Sequence, residues 1–340
     1  MRRLDLLVPH WKETPEEMEP LLDSVAMQQG VDLSDVGVIV AYDGPDATPL
    51  PVGEWAERYP FAIEHAQAPR GGVSATRNWA LDMSEAEIVM FCDADDCFYS
   101  VTGIFIVLQQ FDLRGYDVLV STFMEQTKGE GGLTFVTREN DSTFVHGKAY
   151  RREYLVDNGI RFDPRLTIHE DSYFNVLARE LCDPTKAVYC PYVFYLWKWR
   201  DASVCRHDPL YILKTFGNMI DSSDALVDEF VRRMREDKAA AYAAFMILDA
   251  YYAMNKPEWL EVNHREYRDV VEKRFAEYYR KHRQKWESLT PQDRALMSNV
   301  VRQRSVGEGM LMEAVTIDQW LERITEHVYD SRPKEGETVV

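Results

Sequence analysis

Cysteine is scarce in this chain of 340 residues, with five in all, and no two stand in a C-x-x-C pair. The odd number and wide scatter of Cys92, Cys97, Cys182, Cys190 and Cys205 exclude a complete disulfide framework and a paired-thiol zinc site. They predict a reducing compartment, with Cys92 a small buried residue in an apolar run. Long hydrophobic runs are also missing. The most apolar stretch, 239–254, is too short for a bilayer and carries Asp249, so it predicts a buried helix. Met1-Arg2-Arg3 is followed by too few apolar residues before Pro9 for a secretion signal. The expectation is a cytoplasmic chain without a transmembrane segment. Basic charge is short as well: 39 Lys and Arg face 57 Asp and Glu, a formal net charge of −18. Most of the acidic excess precedes about residue 205, and the C-terminal third is close to balance. An acidic half excludes a protein that grips nucleic acid mainly by neutralising phosphates. It suits a site that takes a divalent cation first and an anionic ligand through that cation.

What is present is a hydrophobic fraction of 46%, enough for a packed core. The first half alternates short apolar runs with helical patterns, the mark of βαβ units and a mostly parallel sheet. Strands are expected at Leu4–Val8, Val36–Tyr42, Phe61–His65, Ile88–Cys92 and Asp117–Phe123. Ala187–Trp197 reads as an extended aromatic segment, and Gly129–Gly132 as a hairpin turn. Thr14-Pro15-Glu16-Glu17 combines an N-cap, a proline at the first helical position and a capping-box glutamate. Further helices are expected over Ser74–Met83, with Ser74 as cap, Val101–Phe111 and Asp171–Leu181. Beyond Cys205 only helical periodicity remains, with helix starts at Lys256-Pro257 and Thr290-Pro291, and the tail after Asp330 is polar. The expected domains are 1–205, an α/β catalytic unit, 206–330, an all-helical unit, and 331–340, a flexible tail.

Asp93-Ala94-Asp95-Asp96 directly follows the apolar strand at Ile88–Cys92. In a parallel sheet, the C-terminal ends of the strands open onto the ligand crevice. Three acids in four residues repel one another unless a cation arrives. Alternation along an extended segment points Asp93 and Asp95 to one side, one toward a metal and the other toward a ribose or a metal-bound water. Hard oxygen ligands select Mg²⁺ or Mn²⁺. The alternative is an acidic turn that caps the next helix.

Other motifs fall around this one in a fixed order. Val8-Pro9-His10-Trp11 follows the first strand and Asp43-Gly44 the second. Gly72-Val73-Ser74-Ala75-Thr76-Arg77-Asn78 opens a helix ahead of the acidic motif. His146-Gly147-Lys148-Ala149-Tyr150-Arg151-Arg152 and His169-Glu170-Asp171 come after it. The set, over residues 4–207, resembles family 2 glycosyltransferases with the GT-A fold. That resemblance implies a metal-dependent, inverting transfer of one sugar from a nucleotide-diphosphate donor, a UDP-sugar being favoured, to an acceptor hydroxyl. The acceptor is a glycan or another hydroxyl-bearing molecule, with nucleic acid open but not favoured.

The resemblance also implies roles. Pro9 and Glu13 would shape the base pocket and Asp43 would accept from the base edge, unless it is a simple turn residue. Gly71 and Gly72 would let the donor approach the backbone, and Arg77 would reach base or phosphates, unless it makes a helix-surface salt bridge. Asp93 and Asp95 would hold the cation, with His207 a further ligand or a surface histidine. Asp171 would be the general base, with Glu170 orienting the acceptor; dipole-stabilised helix-start charge is the plain alternative. Arg200 or Arg206 would stabilise the leaving group. The Q-x-x-R-W motif of processive members is missing, which implies a non-processive enzyme. Two other readings stay open: a nucleotidyltransferase, which would need a Gly-rich loop after the first strand, and a catalytically inactive sugar-nucleotide binder. Tyr192, Phe194, Tyr195, Trp197 and Trp199 form an aromatic stripe that is either core or a sugar platform. Residues 264–304 hold 11 Lys and Arg against 6 Asp and Glu, either a solvated helix face or a surface for an anionic acceptor.

Overall fold

The computed structural model describes residues 2–201, 210–256, 259, 264–307 and 316–330. The chain divides into two compact units, Met1–Ser203 and Val204–Val340.

The first unit is built on a nine-stranded sheet. Its strands are β1 (Leu4–His10), β2 (Val36–Asp43), β3 (Ala62–Ala68), β4 (Ile88–Phe91), β5 (Cys97–Phe98), β6 (Val118–Gly129), β7 (Gly132–Arg138), β8 (Lys148–Arg151) and β9 (Ala187–Trp197). They lie in the order β3-β2-β1-β4-β8-β6-β9-β5, with β7 paired to β6. The first four are parallel to one another. The other half is mixed: β8 runs antiparallel to β4 and β6, while β9 is parallel to β6. β1, β2 and β4 are almost wholly buried, as continuous apolar runs covered on both faces should be. Pro9 sits within β1 without harm to the ladder, because β4 pairs only with Leu4–Leu7 and leaves that edge of β1 beyond Leu7.

Helices α1 (Pro15–Ala26), α2 (Val52–Arg58), α3 (Gly72–Met83), α4 (Gly103–Arg114), α5 (Arg152–Asp157) and α6 (Glu170–Leu181) connect the strands. Thr14 is the N-cap of α1, and the Glu17 side chain accepts its N–H at 2.8 Å. α4 starts two residues later than Val101. A Cβ on Gly103 would lie 2.6 Å from the Phe194 Cβ, so glycine permits this helix to seat on β9. Ser74 is not a cap: Gly71 holds that position, and the buried Ser74 hydroxyl, inside α3, donates to the Leu166 carbonyl at 3.2 Å.

The second unit, among its described residues, is helical: α7 (Tyr211–Arg232), α8 (Glu236–Met254), α9 (Arg265–Glu287), α10 (Pro291–Gly307) and α11 (Ile317–Asp330). Phe216, Ile247, Tyr251, Phe275, Trp286 and Leu321 are part of its own apolar core. No described helix is long and apolar enough to cross a membrane. Several basic residues of α9 pair with acids while staying partly exposed. Lys281 lies 2.8 Å from Asp224 and 2.6 Å from Asp228, Arg274 2.9 Å from Asp221, Arg283 2.6 Å from Glu287, and Lys285 3.1 Å from Glu236. Asp224, Asp228 and His282 bring ligating atoms within 4.8 Å of one another, but Lys281 already supplies the positive charge there.

Candidate active site

The carboxyl ends of β1, β2 and β4 bring the motif residues to one edge of the sheet. After β4 the chain turns instead of continuing as a strand, and the Asp96 N–H donates to the Asp93 carbonyl. The alternation expected of Asp93 and Asp95 therefore does not operate. Asp93 turns toward Arg77 at 3.0 Å, and Asp95 toward Arg200 at 3.1 Å. Asp96 turns inward. Its side chain is 1% exposed, and it accepts from the Tyr195 hydroxyl at 2.9 Å and the Lys198 N–H at 2.9 Å. Burial, with Asp93 and Asp95 close by, holds its carboxyl well above the usual carboxylate range.

Arg77 departs most from the sequence expectation. It lies neither on a helix surface nor open to a ligand. Its buried guanidinium bonds Asp93 through one nitrogen, and Glu170 at 3.1 Å and Asp171 at 2.5 Å through another. Burial works against that charge, but the three carboxylates outweigh it and keep the group protonated. Glu170 and Asp171 open α6 behind His169, a non-glycine residue in the left-handed region at φ 66°. Burial, and then the Asp171 charge, push Glu170 up to about 8 against the pull of Arg77. Asp171 takes its second hydrogen bond from the Val145 N–H at 3.3 Å.

The other expected residues line the same edge. One Asp43 oxygen accepts from the N–H groups of Gly71 at 2.9 Å and Gly72 at 3.2 Å, so Asp43 shapes the glycine turn. Gly72 itself has φ 78°, which a side chain tolerates poorly. Glu13 sits 3.1 Å from His10 and accepts from the Trp11 and Lys12 N–H groups. Burial raises its pKa, yet those hydrogen bonds prevail and hold it at about 2. Arg200 also approaches Glu17 at 3.2 Å and Glu13 at 3.7 Å. Arg206 and His207 lie outside the described residues.

The sequence assigns no role to Asp96 or His146, and places Tyr195 only in a stripe that is either core or a sugar platform. Tyr195 belongs to the aromatic stripe, and its buried hydroxyl joins Asp96 to the Asp93 N–H. His146 is packed among Phe144, Tyr195 and Trp197, with Nδ1 3.5 Å from Asp96. Its place in a segment resembling the family was the signal available. Asp93, Asp96 and His146 bring three ligating atoms within 4.8 Å of one another. Asp93 and Asp95 are the accessible carboxylates, with side chains 32% and 27% exposed. Burial first, then Asp93, push Asp95 upward, and Arg200 offsets only part of this. Hard oxygen donors short of positive charge fit a divalent cation.

A parallel half-sheet with carboxylates at its strand ends, followed by an acid pair on a helix start, is a GT-A-type α/β arrangement. The profile of the family Glycosyl transferase family 2 matches residues 5–182, and the chain belongs to that family and is a glycosyltransferase. Two curated proteins are similar to parts of this chain. The poly(ribitol-phosphate) beta-N-acetylglucosaminyltransferase TarS of Staphylococcus aureus is 27% identical over 190 residues, 52% of this chain and 32% of that protein. The minor teichoic acid biosynthesis protein GgaB of Bacillus subtilis is 37% identical over 59 residues, 17% of this chain and 7% of that protein. The chain thus spans a third or less of the length of these relatives. The solved structure of S. aureus TarS 1-349 in complex with UDP has the same fold, with a TM-score of 0.59 at 16% identity, covering 99% of this chain and 94% of that one. The fragment has also been solved with UDP-GlcNAc, with a TM-score of 0.59.

Proposed function

We propose that this glycosyltransferase moves a single sugar, with inversion, from a UDP-sugar to a hydroxyl of a phosphate-bearing polyol acceptor. The donor class is supported by the UDP and UDP-GlcNAc complexes of the similar TarS fragment. The acceptor class is supported by the name of the TarS relative, a poly(ribitol-phosphate) beta-N-acetylglucosaminyltransferase. A cytoplasmic location suits the free thiols of Cys92, Cys97, Cys182 and Cys190.

The observation that carries the mechanism is the grip on Asp171, held by Arg77 at one oxygen and by the Val145 N–H at the other. Burial and the Asp171 charge push its neighbour Glu170 upward. Asp171 is the carboxylate that takes a proton from the acceptor hydroxyl while the hydroxyl oxygen attacks the anomeric carbon. The bond to the diphosphate oxygen breaks on the opposite face. Glu170 orients the acceptor. Asp93 and Asp95 would hold Mg²⁺ or Mn²⁺, with His207 as a further ligand, and such an ion would neutralise the diphosphate. Arg200 exchanges Asp95 for leaving-group oxygens. Pro9, Glu13 and Asp43 form the nucleobase end of the site, with Asp43 and Gly72 fixing the turn. Arg77 holds Asp93 and Asp171 in register.

Asp171→Asn tests the assignment directly. Turnover should fall by roughly 10²–10⁴-fold, the usual worth of general-base catalysis, with UDP affinity near wild type. Wild-type turnover in this variant would refute the assignment and return Asp171 to a helix-start charge. Calorimetry tests the cation: UDP should bind well with Mn²⁺ and poorly with EDTA, and Asp95→Ala should abolish that difference. Equal UDP affinity under both conditions in the wild type would remove the cation from the proposal.

A further inference from the structure

Two buried polar side chains have no part in the mechanism above. Lys148, on β8, is 1% exposed, and Asn175, on α6, is 3% exposed. Lys148 Nζ donates to the Phe144 carbonyl and lies 3.7 Å from Asp141. Asn175 Nδ2 donates to the Thr143 carbonyl at 3.1 Å and the Phe144 carbonyl at 2.8 Å, while its Oδ1 accepts from the Tyr150 hydroxyl at 2.7 Å. Donors from two elements therefore converge on two consecutive carbonyls of one segment. Asp141 grips the same segment from the other side, accepting from the Thr143 and Phe144 N–H groups at 2.8 and 2.9 Å.

The next residues along that segment reach the site. The Val145 N–H donates to Asp171 Oδ2, and His146 stands 3.5 Å from Asp96. Burying an ammonium is costly, and methionine would fill the same space without that cost. Asp171 and Asn175 are four residues apart on α6 and share a face of that helix. One helix thus carries both the proposed base and, a turn later, a grip on the loop that bonds it. We propose that Lys148 and Asn175 are positioning residues for Asp171, acting through segment 143–146. Arg77 fixes one oxygen of Asp171, and the held loop fixes the other. A carboxylate aligned at both oxygens keeps a lone pair on the acceptor, and a displacement near 1 Å costs about 10²-fold in rate.

The inference rests on Asp171 as the base, and a double-mutant cycle separates the two ideas. Lys148→Met should lower kcat for transfer by roughly 10–100-fold with donor KM near wild type. It should increase hydrogen exchange over residues 141–147. In an Asp171→Asn background, the same substitution should cost nothing further, because the group it positions is already gone. An unchanged kcat, or the same fractional loss in both backgrounds, overturns the proposal and makes Lys148 a general stabiliser. If Lys148→Met does not fold, Asn175→Leu with Tyr150→Phe gives the same comparison. That pair removes both partners of one hydrogen bond and leaves no orphaned donor behind. Full turnover in Asp171→Asn alone overturns the base assignment and this inference with it.

Discussion

At the scale of single residues, the site is a problem of too many carboxylates for one arginine. Arg77 meets Asp93, Glu170 and Asp171, and burial together with the Asp171 charge pushes Glu170 upward. That shift has a measurable consequence for stability. In the unfolded chain Glu170 titrates near its ordinary 4.5, and in the folded chain at about 8. Between these values the folded state keeps a proton that the unfolded state releases. Stability from this group is therefore full below pH 4.5 and is lost as pH rises through 8. Glu170→Gln carries no such dependence. Urea denaturation at pH 5, 6.5 and 8 should show the variant gaining on the wild type as pH rises. Parallel curves would mean that Glu170 is ionised in the fold, and would make it a rival base.

At the scale of elements, the sequence reading held where a local rule operates. β9 runs over Ala187–Trp197 as expected, the hairpin turns at Gly129–Gly132, and Thr14-Pro15 starts α1, because strand runs, glycine turns and caps are decided within a few residues. It failed where distant residues decide. Arg77 is joined to Glu170 and Asp171, 93 and 94 positions away, and periodicity carries no trace of such a pairing. Tyr195 reads as one aromatic among five until Asp96 is placed beneath it. The seat of α4 belongs to the same class, because only the packed fold shows why residue 103 is glycine. Gly103→Ala would put a Cβ 2.6 Å from Phe194 and 3.3 Å from Phe98. Overpacking of this kind costs about 1–3 kcal/mol. The denaturation midpoint should fall accordingly, and an unchanged midpoint would mean that α4 shifts freely on β9.

At the scale of the whole molecule, charge and chemistry are divided between two units. Every described residue assigned to catalysis lies in Met1–Ser203, while Val204–Val340 has a core of its own. The basic surplus over 264–304 leaves two readings, a solvated helix face or a dock for an anionic acceptor. Arg274, Lys281 and Lys285 have acidic partners on α7 and α8, and Arg283 has one within α9. These pairs are partly exposed, so each is worth about 1 kcal/mol or less. Reversal is different, since a glutamate at 281 would put a third acid beside Asp224 and Asp228 and remove the Lys281 charge they share. Arg280→Glu, Lys281→Glu and Arg283→Glu together should lower the melting temperature by a few degrees. Donor hydrolysis at 25 °C and its dependence on cation should stay as in the wild type, because the acids that serve the donor lie in the other unit. The apparent KM for acceptor and its response to salt decide between the two roles of α9. If both are unchanged, the basic residues are structural partners of α7 and α8. A raised KM with a flattened salt response would restore the acceptor dock, since surface attraction of an anionic chain weakens steeply with ionic strength.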